Sequence, residues 1–324
     1  MGVGDSKIPS PHEEQSDQQS QHRNDLLEGD WPTSVVVRKT WPDLKEYEEA
    51  GLGISVDGSE LLSLQDGVVD KSIPVLASIV EDPTKDFSSW FFCIWSLDSR
   101  DLHTLATAVM QIFDFTDRYK ITALMWSKFM IKVEKLMDKT INPFHNFHHV
   151  VDTMQTTAVF LQNFQCGDIV SRENHFVLVL TALLHDIEHP GTNNRYQINA
   201  GTELAIRYND QSVLENHHIS VALQILQESD TNILHSLDKE SKTKFRADLI
   251  AIILATDMSV HFNLHKELGD VLKRNEAIFQ RSASPVGLSQ KDQQTLLKSI
   301  VHAADISSAA KVRKLMNLFN NRKR

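Results

Sequence analysis

The sequence predicts an all-α domain, and three observations carry that prediction. Glycine and proline are sparse, 12 and 9 of 324 residues, while 41% of residues are apolar; that balance suits packed helices better than turn-rich sheets. Trp126, Phe129, Met130, Val133 and Met137 recur at helical spacing, which lays them along one face, as a core-facing stripe does. The run from His175 to Leu184 is apolar all round, and being too short to span a bilayer it belongs at the centre of the fold.

In chain order, residues 1–33 are rich in Ser, Gln, Asp, Glu and His and are predicted to be a disordered N-terminal tail. Their start, Met1-Gly2-Val3-Gly4-Asp5-Ser6, fits the loose N-myristoylation pattern, without the cysteine or basic cluster that stable anchoring usually needs. Residues 34–85 read as a linker or partial regulatory segment, with a β-like run at Ser34–Val37 and a turn at Val56-Asp57-Gly58-Ser59. From residue 86 the pattern is helical, so residues 86–324 are expected to form one domain. Pro190-Gly191 stops the central helix. Further helices are expected at 213–228, 245–257 and 289–304, the last opened by a Leu288 staple and a Ser289 cap.

A net charge of −10 argues against nucleic acid as the main partner, although bound cations can supply local positive charge for a phosphate ester. Cys93 and Cys166 cannot build a disulfide framework, so a cytoplasmic setting is expected. There is no signal-peptide pattern and no apolar run near 18 residues, so no transmembrane segment is expected.

The chemistry-bearing residues are spread along the helical part. In Asn142-Pro143-Phe144-His145-Asn146-Phe147-His148-His149 the proline suits a helix start, which places His145 and His149 at i and i+4 on one face. His185-Asp186 directly follows the central apolar run, with His189 one turn further on. Adjacent helical residues diverge by about 100°, so one ion can meet both only beside the helix end. A carboxylate there needs a partner, and a metal ion is one. Asp257 and Asp305 each end an apolar helical run, and on pattern alone either completes a ligand set; Glu215, His217 and His218 form another polar knot. Singly, each is more often a satisfied buried polar group. Together they favour a metal-dependent hydrolase.

The segments HNFHH, ALLHDIEHPGTNN, TELAIRYNDQSVLENHH, ILATDMS and HAADIS resemble, in order and spacing, the catalytic domain of class I 3′,5′-cyclic nucleotide phosphodiesterases. The resemblance covers roughly residues 86–308. Around Asn194–Asn199 the wording is most similar to the type-nine, cGMP-selective branch. It implies a compact multi-helix HD-type domain hydrolysing cGMP, cAMP or both to nucleoside 5′-monophosphates. It also implies two divalent cations, zinc at the tighter site and magnesium or manganese at the second, a small-molecule cyclic nucleotide as partner, and a homodimer as a candidate assembly.

Roles then follow from the resemblance. His149, His185, Asp186 and Asp305 would hold the tighter ion, Asp186 would also reach the second, and Asp257 matches no ligand. His189, Asn194, Glu215 and Thr256 would surround them and orient waters and ligands. Two cations activate a shared water and neutralise phosphate oxygens; the resulting hydroxide attacks phosphorus, and His145 protonates the leaving 3′-oxygen. Glu215 is the carboxylate expected to keep His145 protonated.

Three departures stand out against the family pattern. Glu188 replaces a usual Asp, Ser308-Ala309 replaces Asn-Pro, and after Lys311-Val312-Arg313-Lys314 the chain runs to a basic end at Asn321-Arg322-Lys323-Arg324. Family members continue there with helices carrying a purine-binding glutamine and an aromatic clamp. The expectation is that metal binding survives while base recognition weakens and apolar surface is exposed. The alternative reading is a weakly active or inactive metal-binding fragment that acts through a partner.

Overall fold

The fold is defined by a computed structural model that describes residues 87–311 apart from 91, 140, 164–168 and 281–287. The expected tail, the 34–85 segment, the lipidation pattern and Cys166 lie outside the described residues. Among the described residues there are twelve α-helices and no strand. In order they are α1 Ser99–Ile112, α2 Phe115–Arg118, α3 Ala123–Met137, α4 Phe147–Asn163, α5 Arg172–Leu184 and α6 Asn194–Asn199. They continue with α7 Glu203–Arg207, α8 Val213–Ile225, α9 Lys239–Leu254, α10 His261–Arg274, α11 Glu276–Phe279 and α12 Gln290–Ile306.

Local chemistry explains where many of these helices begin. Asp98, Thr122, Ser171, Asn193, Thr202, Asp238 and Ser289 are N-caps, each side chain accepting from the backbone N–H three residues on. Such a cap satisfies one orphan donor and is worth about 1 kcal/mol. The Ser289 cap is therefore where the sequence places it. The Asp238 cap starts α9 at Lys239, earlier than the expected 245, and α8 ends at Ile225 rather than 228.

The stripe on α3 is core: Trp126, Phe129, Met130, Val133 and Met137 are all buried. On α5 every residue from Asn174 to Leu184 is buried, so α5 is the axis of the domain. It packs most extensively on α4 and also against α12, α9 and α8. Burying each of its larger aliphatic side chains is worth roughly 1.5–3 kcal/mol. Phe176 anchors one end, stacked 4.0 Å from Tyr119 and set edge-on to Phe115. No single helix among the described residues is long and apolar enough to cross a membrane.

One local expectation is corrected. Helix α4 starts at Phe147, so His145 precedes it and does not share a helical face with His149. Asn142 is the reason: its Oδ1 accepts from Phe144 N–H at 3.2 Å and His145 N–H at 3.0 Å, holding residues 143–146 in a bend. This is the local bonding by which Asn competes with helix. Asn146 then accepts from His149 N–H at 3.2 Å and opens α4.

Candidate metal centre

The start of α4, the end of α5 and the end of α12 converge on four side chains. His149, His185, Asp186 and Asp305 each offer one ligand atom, all within 4.8 Å of one another. His149 Nε2 lies 3.3 Å from Asp186 Oδ2 and 3.1 Å from Asp305 Oδ1; His185 Nε2 lies 3.3 Å from each of the same oxygens. His185 is the C-cap of α5, so the turn that follows, and not a continued helix, lets Asp186 converge with it. Its Nδ1 faces Ala182 O at 2.9 Å. Donation there turns Nε2 to the cluster, where it offers a lone pair once its own proton is displaced by a cation.

Neither His149 Nε2 nor His185 Nε2 makes a hydrogen bond of good geometry, although both are buried. A buried polar atom in that state is costly. Two imidazole nitrogens and two carboxylate oxygens directed at one point are also the donor set of a zinc-type site. The residues therefore fit a divalent cation. Without one, the four groups hold each other as ions. Burial opposes charge on all four, but the facing carboxylates raise His149 to about 9 and His185 well above the usual imidazole range. Reciprocally, the two imidazoles hold Asp186 and Asp305 below the usual carboxylate range against their own burial.

Asp305, not Asp257, joins the cluster. Asp257 is occupied elsewhere: its Oδ2 accepts from Ser212 Oγ at 2.9 Å and its Oδ1 from Ser259 N–H at 2.8 Å.

A second group, Asp186, His189 and His218, adjoins the first. His218 Nδ1 faces Ile187 O at 2.7 Å, and its Nε2 stands 3.7 Å from Asp186 Oδ1; burial presses it down to about 3. His189 Nδ1 accepts the N–H of Gly191 at 3.0 Å. That contact needs the backbone of Gly191 at φ +85°, a conformation glycine adopts without strain. A neutral His189 then carries its proton on Nε2, as a donor and not a ligand. His218 belongs to the site; the sequence placed it in a polar knot with Glu215 and His217 but gave it no separate role. Its spacing of three from Glu215 on α8 is the signal that could have found it. Asn142 is the other such residue: besides bending the chain at His145, its Nδ2 lies 3.4 Å from His189 Nδ1.

His145 stands at the rim, its ring stacked 3.9 Å from His189 and its Nε2 4.0 Å from Asp186 Oδ2. Burial outweighs that carboxylate and pushes His145 down to about 4. Glu215 has a different partner from the one expected. Its Oε2 accepts from Asn194 Nδ2 at 2.8 Å, while Asn194 Oδ1 accepts from Leu214 N–H at 2.9 Å; burial raises Glu215 to about 7. The Asn194–Glu215 pair thus ties α6 to α8, and the carboxylate facing His145 is Asp186. Thr256 donates its hydroxyl to Ile253 O at 2.8 Å, finishing α9. His148, third of the local histidines, turns away to Leu97 O at 2.9 Å and stacks on Trp95.

The departures at Glu188 and Ser308 have local explanations. Glu188 sits at φ +62°, and its carboxylate bridges Lys139 Nζ at 2.5 Å and His217 Nε2 at 2.9 Å. The residue therefore works as a strut outside the metal cluster. Ser308 lies in the 3₁₀ turn Ser307–Ala309 that follows α12, closed by Ala310 N–H donating to Ser307 O at 2.8 Å.

Comparison with known proteins agrees with this geometry. Residues 144–322 match the family model for 3′5′-cyclic nucleotide phosphodiesterases. The chain is 33% identical over 230 residues to the 3′,5′-cyclic-nucleotide phosphodiesterase regA of Dictyostelium discoideum, covering 71% of this chain and 28% of that protein. It is 34% identical over 242 residues to the dual specificity calcium/calmodulin-dependent 3′,5′-cyclic nucleotide phosphodiesterase 1B of Cricetulus griseus, covering 74% and 43% respectively. It therefore spans less than half the length of these curated relatives. Among solved structures, the phosphodiesterase domain of the RhoPDE fusion protein from the choanoflagellate Salpingoeca rosetta superposes with a TM-score of 0.64 at 28% identity, over 75% of this chain and 74% of that one. On the family match and the extent of these identities, the chain belongs to the 3′5′-cyclic nucleotide phosphodiesterase family.

Proposed function

We propose that this chain hydrolyses a 3′,5′-cyclic nucleotide to the nucleoside 5′-monophosphate with two divalent cations, zinc at the tighter position and magnesium or manganese at the second. The observation that carries the reading is the convergence of two unsatisfied imidazole nitrogens and two carboxylates at the junction of α4, α5 and α12. In this reading His149, His185, Asp186 and Asp305 hold the tighter ion. Asp186 belongs to both groups and reaches the second. When bound, such cations lower the pKa of a water and neutralise phosphate oxygens.

The chain's own side chains do the rest. His189, with its proton on Nε2, orients water or phosphate, and the Asn194–Glu215 pair keeps α6 against α8 at the rim. Thr256 acts more remotely, through the end of α9. His145 supplies the proton to the leaving 3′-oxygen. Burial holds it down to about 4 in the metal-free protein; in this reading the bound phosphate's negative charge raises the imidazole again, and the proton is taken up from solvent. The Asn194–Asn199 stretch, similar to the cGMP-selective branch, makes cGMP the first substrate to try. The dual specificity named for the Cricetulus relative makes cAMP the second.

The test is hydrolysis of cGMP and cAMP by the purified chain with zinc and magnesium, with and without chelator. His145→Ala should reduce turnover by about 10²–10⁴-fold and leave bound zinc unchanged. Turnover untouched by that substitution would remove His145 as the proton donor. A folded, zinc-loaded chain with no turnover of either nucleotide would overturn the activity.

A further inference from the structure

Lys311 lies six residues beyond Asp305 and is only 3% exposed, although lysine is seldom buried without a partner. Its ammonium donates to Asp152 Oδ1 at 2.6 Å and to Thr156 Oγ1 at 2.6 Å, with Gln155 Oε1 at 3.5 Å. The ring of Trp90 lies 5.8 Å away. All three acceptors are on α4, and Asp152 stands one turn after His149. Between Asp305 and Lys311 the chain is a closed turn, Ala310 and Lys311 both donating N–H to Ser307 O at 2.8 and 3.2 Å. Helix α4 and the end of α12 are thus joined at two points, His149 against Asp305 and Asp152 against Lys311.

Packing of α12 on α4, α5, α9 and α10 brings its end to the centre, where Asp305 faces His149 and His185. Asp186 and Asp305 press on the same two imidazole nitrogens, so two like charges are held close. Lys311 adds a contact outside the cluster that ties the turn after α12 to α4. A buried ion pair is rarely the best choice for stability alone, since apolar packing often does as well or better. What it adds is directed geometry.

We infer that Lys311 is a positioning residue for the metal centre: by clasping Asp152 and Thr156 it holds Asp305 against α4 and thereby sets the affinity for zinc. The inference rests on the metal-centre reading above.

The test titrates zinc against a chelating indicator in the full chain, with a thermal melt of each metal-free protein. Four proteins are compared: wild type, Lys311→Met, Thr156→Val and Ile225→Ala, the last at a buried position at the far end of α8. Lys311→Met should bind zinc about 10–100-fold more weakly, the range for groups that orient ligands, and Thr156→Val should show a smaller loss. Ile225→Ala should lower the melting temperature yet bind zinc like wild type. Wild-type zinc affinity in Lys311→Met overturns the inference, as does an equal weakening in Ile225→Ala. If Lys311→Met does not fold, Thr156→Val against Ile225→Ala decides by the same comparison. Failure of the wild type itself to bind zinc overturns the metal centre instead, so the two failures are distinguishable.

Discussion

Helix α12 carries a polar cluster at each end, and the two behave oppositely. Near its start, Gln294 donates to Asp248 Oδ1 at 2.8 Å, Lys244 donates to Asp248 Oδ2 at 3.0 Å, and Lys244 also donates to Asn174 at 2.8 Å. Both oxygens of Asp248 are matched there, and the cluster joins α5, α9 and α12. At the other end, Asp305 meets imidazoles that make no good hydrogen bond at Nε2. A cavity of about 590 Å³ opens beside the first cluster, lined by Asn174, Lys244 and Asp248 among others. Cavity volume therefore does not mark the chemistry. What marks it is the convergence of buried, unsatisfied imidazole nitrogens with two carboxylate oxygens on one point, a donor set that a cation completes.

The sharpest way to break this contrast is a paired substitution. Asp305→Ala should reduce zinc affinity and cyclic nucleotide turnover by about 100-fold or more, beyond the range for groups that only orient ligands. Asp248→Ala should leave both at wild-type values per folded molecule. Equal losses in zinc titration and turnover would mean that the two clusters do not differ in role.

Ligand-linked stability comes next in size. Zinc at 100 times its dissociation constant should stabilise the wild type by about 2.7 kcal/mol, read as a shift in denaturant midpoint. The same addition should stabilise Asp305→Ala by no more than about 0.4 kcal/mol, its affinity being about 100-fold weaker or worse.

Asp248→Ala, in turn, should lower stability by about 1 kcal/mol through the hydrogen bonds it removes, with no dependence on zinc. A denaturation series with and without chelator checks this.

The most gradual effect is on pH. His149 is raised from 6.5 to about 9 in the metal-free protein, so its contribution is fully present below pH 6.5 and is lost as pH rises through about 9. Stability of the chelated protein should fall across that window. The zinc-loaded protein, whose His149 holds no proton to lose, should be flat there. Parallel pH profiles for the two forms would contradict the ligand assignment.

Much of the site was legible because its signals are short-range. The His185-Asp186 pair sits at the end of a helix whose apolar run announces burial, and the Ser289 cap is three residues of local chemistry. What misled was also local. Asn142 bends the chain so that His145 leaves the helix it was expected to share with His149, and an Asn-Pro pair does not reveal which of its bonds will form. The partner of Glu215 is not legible either, because Asn194 and His145 both lie far from it in sequence and only packing of α6 on α8 selects Asn194. Lys311 looked like part of a basic end. Its burial depends on Asp152, Gln155 and Thr156, some 155 to 159 residues earlier.

By itself the sequence determined the all-α class, the capped helices and a set of imidazoles and carboxylates suited to a cation, because periodicity, capping and ligand chemistry act within a few residues. Only the tertiary structure set Asp305 against His149 and His185 while tying Asp257 to Ser212 and Ser259, brought His218 beside Asp186 and buried Lys311 against α4. Those choices depend on which helix ends meet, and that is set by how α5 is enclosed by its neighbours, not by any residue's own preference.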